Sequence, residues 1–442
     1  MPEARHAFLF DGERCTGCEA CRIACGMANA GGADTGWRRV LTFNPRRHPA
    51  LATRHLSLAC NHCDDPACLA GCPAAAYRRD PATGAVLLEQ TRCLGCRYCS
   101  WVCPYDAPRF DADHGLMAKC TWCETRLRAG SEPACTQACP TGALSWGERT
   151  TAGRDAPYPG VPSTELGPAL VVVPSRRPLT PPPTAPAPAA ATFPVQPPPA
   201  RKITLTGEWG LLVFTTLLPA LAAWWTAGLL LPERAPSLLA LLGLGGVALG
   251  VSWGHLGRPL RAWRALANLR RSWLSREVAA AAALVGLGAA SLLVPASWGV
   301  DRPLGWAAAL AGAGLVVAID GVYRAIPRLR PVRLHGGEAT LGASFLLAVL
   351  VGAWPVAVGL GLGRSMLALR RLKAGEGSLP GGAVAVRASL MAVACLPFLP
   401  WSAAAALALL GEALDRGDLL LGLEPVSPEL LLARQAMAGL GT

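Results

Sequence analysis

The sequence predicts two domains of different class, a small α+β domain rich in cysteine and an all-α bundle of polytopic membrane helices. Sixteen of the 17 cysteines lie within the first 139 residues. Long runs of Ala, Leu, Gly and Val fill the chain after residue 205. A Pro/Ala-rich stretch, which should act as a semi-rigid tether, separates the two regions. We therefore predict domains at 1–172 and 205–442 joined by a linker at 173–204.

The charge of the 442-residue chain does not indicate a nucleic-acid-binding protein. The net charge of +12 would permit such binding. Much of the basic excess after residue 250 nevertheless lies in short loops between apolar runs, as in membrane proteins. No basic face with interleaved aromatic residues is apparent, so we expect no nucleic acid partner. The segment MPEARHAFLFDGERC lacks the apolar run of a signal peptide, which favours metal or redox chemistry over disulfides.

The cysteines form four groups of four. The first and third groups read C-x2-C-x2-C-x3-C, the spacing of bacterial two-cluster ferredoxins. Proline follows the last cysteine of every group except the first, where Gly26 takes its place. The groups are Cys15, Cys18, Cys21 and Cys25; Cys60, Cys63, Cys68 and Cys72; Cys93, Cys96, Cys99 and Cys103; and Cys120, Cys123, Cys135 and Cys139.

This spacing predicts four [4Fe–4S] clusters in a tandem ferredoxin-like domain that carries single electrons. In two-cluster ferredoxins, one motif supplies three ligands and the last cysteine of the other motif supplies the fourth. One ferredoxin-like unit would then be inserted inside the other. The predicted ligand sets are Cys15, Cys18, Cys21 and Cys139; Cys120, Cys123, Cys135 and Cys25; Cys60, Cys63, Cys68 and Cys103; and Cys93, Cys96, Cys99 and Cys72.

Zinc is the alternative occupant of such motifs. Paired C-x2-C motifs also form tetrahedral sites with four cysteine ligands. The repeated C-x3-C step, followed by proline in three groups, favours iron–sulfur clusters. His62 lies between Cys60 and Cys63, but each group already has four cysteines, so we interpret His62 as a neighbour of a cluster sulfur.

The second domain contains six clear apolar segments, each close to the ~20 residues that cross a membrane as a helix. Pro355 interrupts the fifth segment, and Pro397 and Pro400 interrupt the sixth. Either could contain two short helices, which allows up to eight spans. The segments are 209–231, 237–257, 277–297, 304–325, 338–360 and 384–411.

Loop charge predicts the orientation of these segments. The loops after the second and fourth segments are rich in arginine and lie on the side of the N-terminus if each segment crosses once. The positive-inside rule places that side, with the cysteine domain, in the cytoplasm of a cell with an inner membrane. A further basic cluster conflicts with a single span at 338–360, namely Arg364, Arg370, Arg371 and Lys373.

His255 and Glu277 are candidate proton-handling residues at one membrane edge. His255 ends the second segment and Glu277 opens the third, and ionisable residues at such positions are functional candidates. The alternative is that Glu277 pairs with Arg276 or Arg258 and that His255 only caps a helix. Three other acids at segment ends, Asp320, Glu338 and Glu412, are interpreted as interface or topology residues. With only two histidines in this half, His255 and His335, no haem is expected.

The first domain resembles the iron–sulfur subunit of dimethyl sulfoxide reductase and related molybdoenzymes. The resemblance covers about residues 5–148 and rests on SLACNHCDDPACLAGCPAAA, RCLGCRYCSWVCPYDAPRF and KCTWCETRLRAGSEPACTQACPTGAL. It implies electron transfer between a membrane anchor and a large catalytic subunit that contains molybdopterin. Some relatives have tryptophan in place of one cysteine of the third group, whereas this chain has all sixteen cysteines.

The second domain resembles the anchor subunit of the same enzyme. The resemblance rests on EWGLLVFTTLLPALAAWW and WGHLGRPLRAWRALANLRRSWLSRE. The family anchor has eight helices and ties a His and a Glu to quinol binding, and these match His255 and Glu277. The resemblance thus implies menaquinol or ubiquinol as the bound substrate, oxidised in this chain.

Three interpretations of function follow. The first is a non-catalytic electron-transfer and anchor subunit of a molybdopterin oxidoreductase complex, whose electrons flow from quinol or, as in sulfite oxidation, towards quinone. The second is a free-standing membrane enzyme that exchanges electrons between quinone and a soluble carrier. The third is a zinc-bearing scaffold tethered to a membrane.

Overall fold

The computed structural model describes residues 6–29, 36–48, 51–149, 157–173, 203–327, 338–373 and 381–439. The chain divides into two compact units: residues 1–200 together with 425–442, and residues 201–424. The predicted linker at 173–204 lies almost entirely outside the described residues. Residues 425–442, which lie in the predicted second domain, group with the first unit.

Small sheets form the framework of the first unit. A three-stranded sheet has the order β8-β1-β9, where β1 pairs antiparallel with β8 and parallel with β9. The described part of this unit also has three antiparallel hairpins, β2–β3, β4–β5 and β6–β7. The strands are β1 (His6–Phe10), β2 (Arg39–Phe43), β3 (Arg54–Leu58), β4 (Tyr77–Arg79), β5 (Val86–Leu88), β6 (Arg109–Asp111), β7 (Leu116–Ala118), β8 (Leu144–Glu148) and β9 (Leu170–Val172).

Short helices carry or adjoin the cysteine motifs, and aromatic side chains pack between them. Phe8 of β1 meets Trp122 edge-on at 6.3 Å between ring centroids, and Trp122 meets Trp146 of β8 at 4.9 Å. This α+β arrangement confirms the predicted class of the first domain. The helices are α1 (Ala20–Asn29), α2 (Ala67–Gly71), α3 (Tyr98–Trp101), α4 (Glu124–Arg128) and α5 (Ala134–Gln137).

The second unit is helical, as predicted, and eight α-helices lie within its described residues. Mean hydropathy and length single out α6, α8 and α9 as helices that can each cross a membrane. A fourth candidate joins α7 to the bent segment Pro259–Leu266 at an angle of 108°. The helices are α6 (Leu205–Leu230), α7 (Leu238–Gly254), α8 (Trp273–Leu293), α9 (Asp301–Arg324), α10 (Glu338–Val351), α11 (Trp354–Lys373), α12 (Gly381–Ala394) and α13 (Trp401–Gly422).

Two of the six predicted segments are each divided into two helices. The segment 338–360 breaks at Gly352, whose φ of +77° lies in the left-handed region that favours glycine. Beyond the break, the chain packs back on itself, since Gly361 of α11 faces Phe345 of α10. The segment 384–411 breaks at 395–400, and there Gly411 of α13 faces Met391 of α12. Each pair therefore forms a helical hairpin.

Charged side chains are buried where α11, α12 and α13 meet. Arg364 pairs with Glu412 and Asp415, and Arg387 pairs with Asp415 at 2.7 Å. All four residues are at most 8% exposed. The prediction that Glu412 ends a membrane segment is wrong, because α13 continues to Gly422 and buries Glu412 within the bundle. Arg364, likewise, is an internal ion-pair partner and not a loop charge.

The last helix of the described residues, α14 (Pro428–Gly439), packs within the first unit. Leu432 is buried against Phe43 and Leu51. Arg39 of β2 donates to Glu429 at 2.8 Å, and the side chain of Gln435 accepts from the backbone N–H of Gly160 at 3.0 Å. The apolar face of α14 thus completes a small core.

Asp320 of α9 caps the start of α10. Its carboxylate accepts hydrogen bonds from the backbone N–H groups of Ala339 (2.9 Å) and Thr340 (3.1 Å). Asp320 is 2% exposed, so truncation leaves buried donors unpaired. We expect Asp320→Ala to destabilise the second unit by about 2 kcal/mol, measured by thermal unfolding in detergent. Asp320→Asn keeps one acceptor oxygen and should reduce the stability of the second unit by less. Equal losses of stability in the two variants would contradict a capping role.

Candidate functional site

A left-handed residue precedes the second cysteine of each cysteine group. Gly17 and Gly95 occupy this position in the first and third groups, with φ of +72° and +71°. His62 and Trp122 occupy it in the second and fourth, with φ of +43° and +63°. The turn aims backbone N–H groups at sulfur, and Gly95 and Trp122 each donate to the Sγ two residues earlier at 3.4 Å. Hydrogen bonds of this kind stabilise a sulfur that carries negative charge.

The thiols interact across the motifs, not only within them. For Cys15, burial raises the pKa of the thiol, and Cys21, Cys139 and Cys18 raise it further. For Cys63, burial again raises the pKa most, followed by Cys60, Cys103 and Cys68. In both cases three cysteines of one motif interact with the last cysteine of another. We call these sets group 1 (Cys15, Cys18, Cys21 and Cys139) and group 3 (Cys60, Cys63, Cys68 and Cys103).

The other eight thiols interact in the same way. Burial raises the pKa of Cys135 to about 11, and Cys25 and Cys123 add to it while Arg38 opposes them. Burial raises the pKa of Cys96 to about 12, with further contributions from Cys72 and Cys93. These interactions connect the members of the predicted ligand sets, and ligation itself stays a prediction. We call these sets group 2 (Cys25, Cys120, Cys123 and Cys135) and group 4 (Cys72, Cys93, Cys96 and Cys99).

A cavity in the first unit brings together donors of the kind that an iron–sulfur cluster needs. It is lined by all four cysteines of the group, together with Lys119, Tyr105 and Pro104. A space surrounded by four thiols and closed by apolar side chains matches the requirements of a thiolate-held cubane. Among the described residues, no three His, Cys, Asp or Glu side chains converge as closely as a single metal ion requires.

His62, predicted to be a neighbour of a cluster sulfur, is a core residue beside group 3. It is 1% exposed, stacks on Trp122 at 4.4 Å between ring centroids, and its Nδ1 accepts from the backbone N–H of Val86 at 2.9 Å. Burial lowers the pKa of His62 well below its usual value, and Lys119 and Arg79 lower it further. The imidazole is therefore neutral, with its proton on Nε2.

The structure places the two predicted membrane-edge residues in different surroundings. His255 is the C-terminal cap of α7 and is partly buried. Glu277 lies in the first turns of α8 and is 4% exposed. Among the described residues, the charged side chain that acts on Glu277 is Arg416 of α13. Arg276, the predicted alternative partner, instead donates to the backbone oxygens of Leu269 (2.9 Å) and Arg270 (2.7 Å).

Glu277 belongs to a buried set of polar side chains, which we call the anchor polar cluster. Tyr323 of α9 interacts with Glu277, Arg416 and Glu208, and it is hydrogen-bonded to Thr215 of α6. Sequence reasoning missed all of these except Glu277. The available signal was polarity within apolar runs, and Glu208 also lies in EWGLLVFTTLLPALAAWW, the stretch that resembles the family anchor. The cluster comprises Glu208, Thr215, Glu277, Tyr323 and Arg416, all of them at most 8% exposed.

A small cavity adjoins the anchor polar cluster. It lies among α6, α10 and α13, and Thr215, Thr216, Glu412 and Arg416 contribute its polar lining. Through Glu412 the cavity also borders the buried ion pairs of Arg364. Buried polar groups in an apolar helix bundle are costly unless they are paired or functional, so this region is the best candidate for chemistry in the second unit.

Comparisons with known proteins match both units. Residues 51–149 match the family model of the 4Fe-4S dicluster domain, and residues 233–310 match that of the DMSO reductase anchor subunit (DmsC). One relative, from the anaerobic dimethyl sulfoxide reductase of Haemophilus influenzae, is 38% identical over 186 residues, which is 39% of this chain and 90% of that protein. Its counterpart in the anaerobic dimethyl sulfoxide reductase of Escherichia coli K12 is 36% identical over 152 residues, 32% of this chain and 73% of that protein. A sulfite dehydrogenase subunit of Allochromatium vinosum is 34% identical over 163 residues, 32% of this chain and 68% of that protein.

Proposed function

Because this protein belongs to the family of dimethyl sulfoxide reductase iron–sulfur subunits and carries an anchor domain of the same system, we propose that it connects membrane quinol to a separate catalytic subunit. The chain is a multi-pass, membrane-anchored electron-transfer subunit with [4Fe–4S] clusters. Four such clusters, one in each of groups 1 to 4, would provide the electron path. The observation that carries this proposal is that one polypeptide contains both a membrane anchor and sixteen cysteines arranged in four sets of four.

The proposed quinol site comprises His255 and Glu277, and Glu277 is itself a member of the anchor polar cluster. Quinol oxidation releases two protons along with two electrons, so the site needs a proton acceptor close to the quinol hydroxyls. Glu277 is a buried carboxylate whose charged neighbour among the described residues is Arg416, and it can take this role. His255 would hydrogen-bond the other ring oxygen, and Tyr323 would help to position Glu277.

Chain connectivity supports an even number of membrane crossings in the second unit, with the first unit, which we call the cluster domain, on the cytoplasmic side. The chain leaves the first unit before α6 and returns to it from residue 425. Since one domain occupies one side of a membrane, both ends of the anchor must emerge there. If all eight helices of the anchor cross, the loops before α8, α10 and α12 share that side. The basic clusters of the sequence lie in or beside those loops, and Arg370, Arg371 and Lys373 end α11 on the same side. With this number of crossings the conflict with the positive-inside rule in the inner membrane disappears.

The proposed partner is a large molybdopterin-containing subunit. The relatives come from dimethyl sulfoxide reductase and sulfite dehydrogenase, and others are named tetrathionate and thiosulfate reductase subunits. Electrons could therefore run from quinol to a terminal acceptor or from a reduced sulfur compound to quinone. The second candidate, a free-standing quinone oxidoreductase, differs in lacking the large subunit.

Purification of the chain from its native membranes in mild detergent tests the proposal. We expect a co-purifying large subunit, molybdenum or tungsten, and about sixteen irons per chain, as four cubanes require. Full iron without a large subunit would favour the free-standing quinone enzyme. A preparation that holds zinc and no iron would contradict the electron-transfer proposal altogether.

A further inference from the structure

Lys119 is a fully buried cation between groups 2 and 3. It precedes Cys120 of group 2 and is 3% exposed. Its ammonium donates to the Sγ of Cys60 in group 3 at 3.5 Å, to the backbone oxygen of Cys120 at 2.9 Å, and to the backbone oxygen of Val86. Its charge thus lies at the junction of two thiol groups.

Arg38 is a second buried cation, between groups 1 and 2. It is 1% exposed, and its guanidinium lies 4.2 Å from the ring centroid of Phe8. Its Nη1 donates at 3.1 Å to the hydroxyl of Ser57, which is 3.2 Å from the Sγ of Cys21 in group 1. On the other side its charge acts on Cys135 and Cys25 of group 2.

Neither cation is neutralised by a carboxylate among the described residues. The ion pairs found among the described residues of the first unit involve other cations, such as Arg22, Arg39 and Arg149. A buried charge without a counter-charge would cost several kcal/mol. Within the described residues, the thiols around Arg38 and Lys119 are therefore their only source of negative charge, and a thiolate-held cluster supplies that charge.

From this placement we infer that Lys119 and Arg38 raise the reduction potentials of the clusters they adjoin, and that both of them act on the cluster of group 2. The inference rests on the proposed function, because it requires the four clusters. Reduction adds one negative charge to a cluster, so a fixed cation nearby stabilises the reduced form more than the oxidised form. Burial makes each interaction strong, since little water screens it.

The cluster of group 4 adjoins neither buried cation. The basic residue that acts on Cys72 of this group is Arg92, which is exposed and pairs with Glu89 at 3.7 Å. An exposed charge is screened by solvent and contributes little.

Redox titrations of native membranes that contain the complex, monitored by EPR, test this inference. Lys119→Met should lower the midpoint potentials of the clusters of groups 2 and 3, and Arg38→Met those of groups 1 and 2. The midpoint potential of the group 4 cluster should stay unchanged in both variants. In the double variant the two shifts should add at the group 2 cluster, because separate charges act on it independently. Signals are assigned with single cysteine variants of each group.

Two controls separate charge from packing. Lys119→Arg retains the positive charge, so the midpoint potentials of the clusters of groups 2 and 3 should stay unchanged. Arg92→Met removes an exposed cation and should leave the midpoint potentials of all four clusters unchanged. If Lys119→Met does not accumulate, Lys119→Gln removes the charge but keeps a donor, and the same shifts are expected. Four cluster signals with unchanged potentials in the Lys119 and Arg38 variants would overturn this inference and leave the proposed function intact. Absence of cluster signals from unaltered membranes would instead overturn the proposed function.

Discussion

Replacing Cys72 by alanine is expected to remove the cluster held by Cys93, Cys96 and Cys99, and to leave the cluster of Cys60, Cys63 and Cys68 in place. Cys72 follows the latter three in sequence, but the cysteine that acts on it most is Cys93, and Cys72 is in turn the first cysteine to act on Cys96. The iron content should fall by about a quarter, from about sixteen to about twelve per chain, and quinol-dependent electron transfer should stop. Iron analysis and EPR spectra of the reduced protein measure the effect.

Double variants make the pairing test decisive. Cys72→Ala combined with Cys99→Ala should still lose one cluster, because both residues belong to group 4. Cys72→Ala combined with Cys68→Ala should lose two clusters, since Cys68 belongs to group 3. Loss of two clusters in the first double variant and of one in the second would show that each motif holds its own cluster. Cys395→Ala, at the break between α12 and α13, serves as the control and should keep all four clusters.

Glu277→Gln is expected to reduce quinol oxidation by about 100-fold or more, the usual contribution of a positioned general base. The amide has the size of the carboxylate but cannot take up a proton. Electron transfer from a reduced dye that delivers electrons directly to the clusters should be unchanged, because the cluster domain is untouched. Comparing the two donors in the same membranes locates the defect at the quinol site.

The competing interpretation is that Glu277 only neutralises Arg416. In that case Glu277→Gln would lower the thermal stability of the complex, while the quinol oxidation rate per folded complex would stay near that of the unaltered protein. His255→Gln provides a second test of the same site, and a normal rate in both variants would exclude the site. Glu233→Gln is the matched control, because this glutamate lies at the exposed turn between α6 and α7.

The cluster domain could be predicted from sequence because its binding motifs consist of cysteines that are close together in the chain. Cysteine spacing fixes the shape of each binding loop, and the left-handed position before the second cysteine accounts for Gly17 and Gly95. His62 and Trp122 occupy the same position without glycine, which the spacing alone does not reveal. Their side chains stack on each other in the core, and that packing stabilises a backbone conformation their residue types rarely adopt.

The anchor was less predictable because hydropathy does not report helix ends. Pro355 indicated a possible interruption of the fifth segment but did not locate it, and the break between α10 and α11 lies at Gly352, whose φ is positive. The anchor polar cluster is assembled from α6, α8, α9 and α13, so no spacing rule could relate Glu277 to Arg416, which are 139 positions apart. The return of α14 to the first unit depends on contacts such as Arg39 with Glu429, and these too are invisible in local sequence.

The position of α14 also means that the core of the cluster domain is completed only after the membrane helices have been synthesised. Residues 428–439 leave the ribosome only after the whole anchor, yet Leu432 completes a core begun by Phe43 and Leu51. Part of the surface of the cluster domain therefore stays uncovered until the membrane helices have been synthesised. We expect chains that stall during membrane insertion to expose this apolar patch to proteases and chaperones.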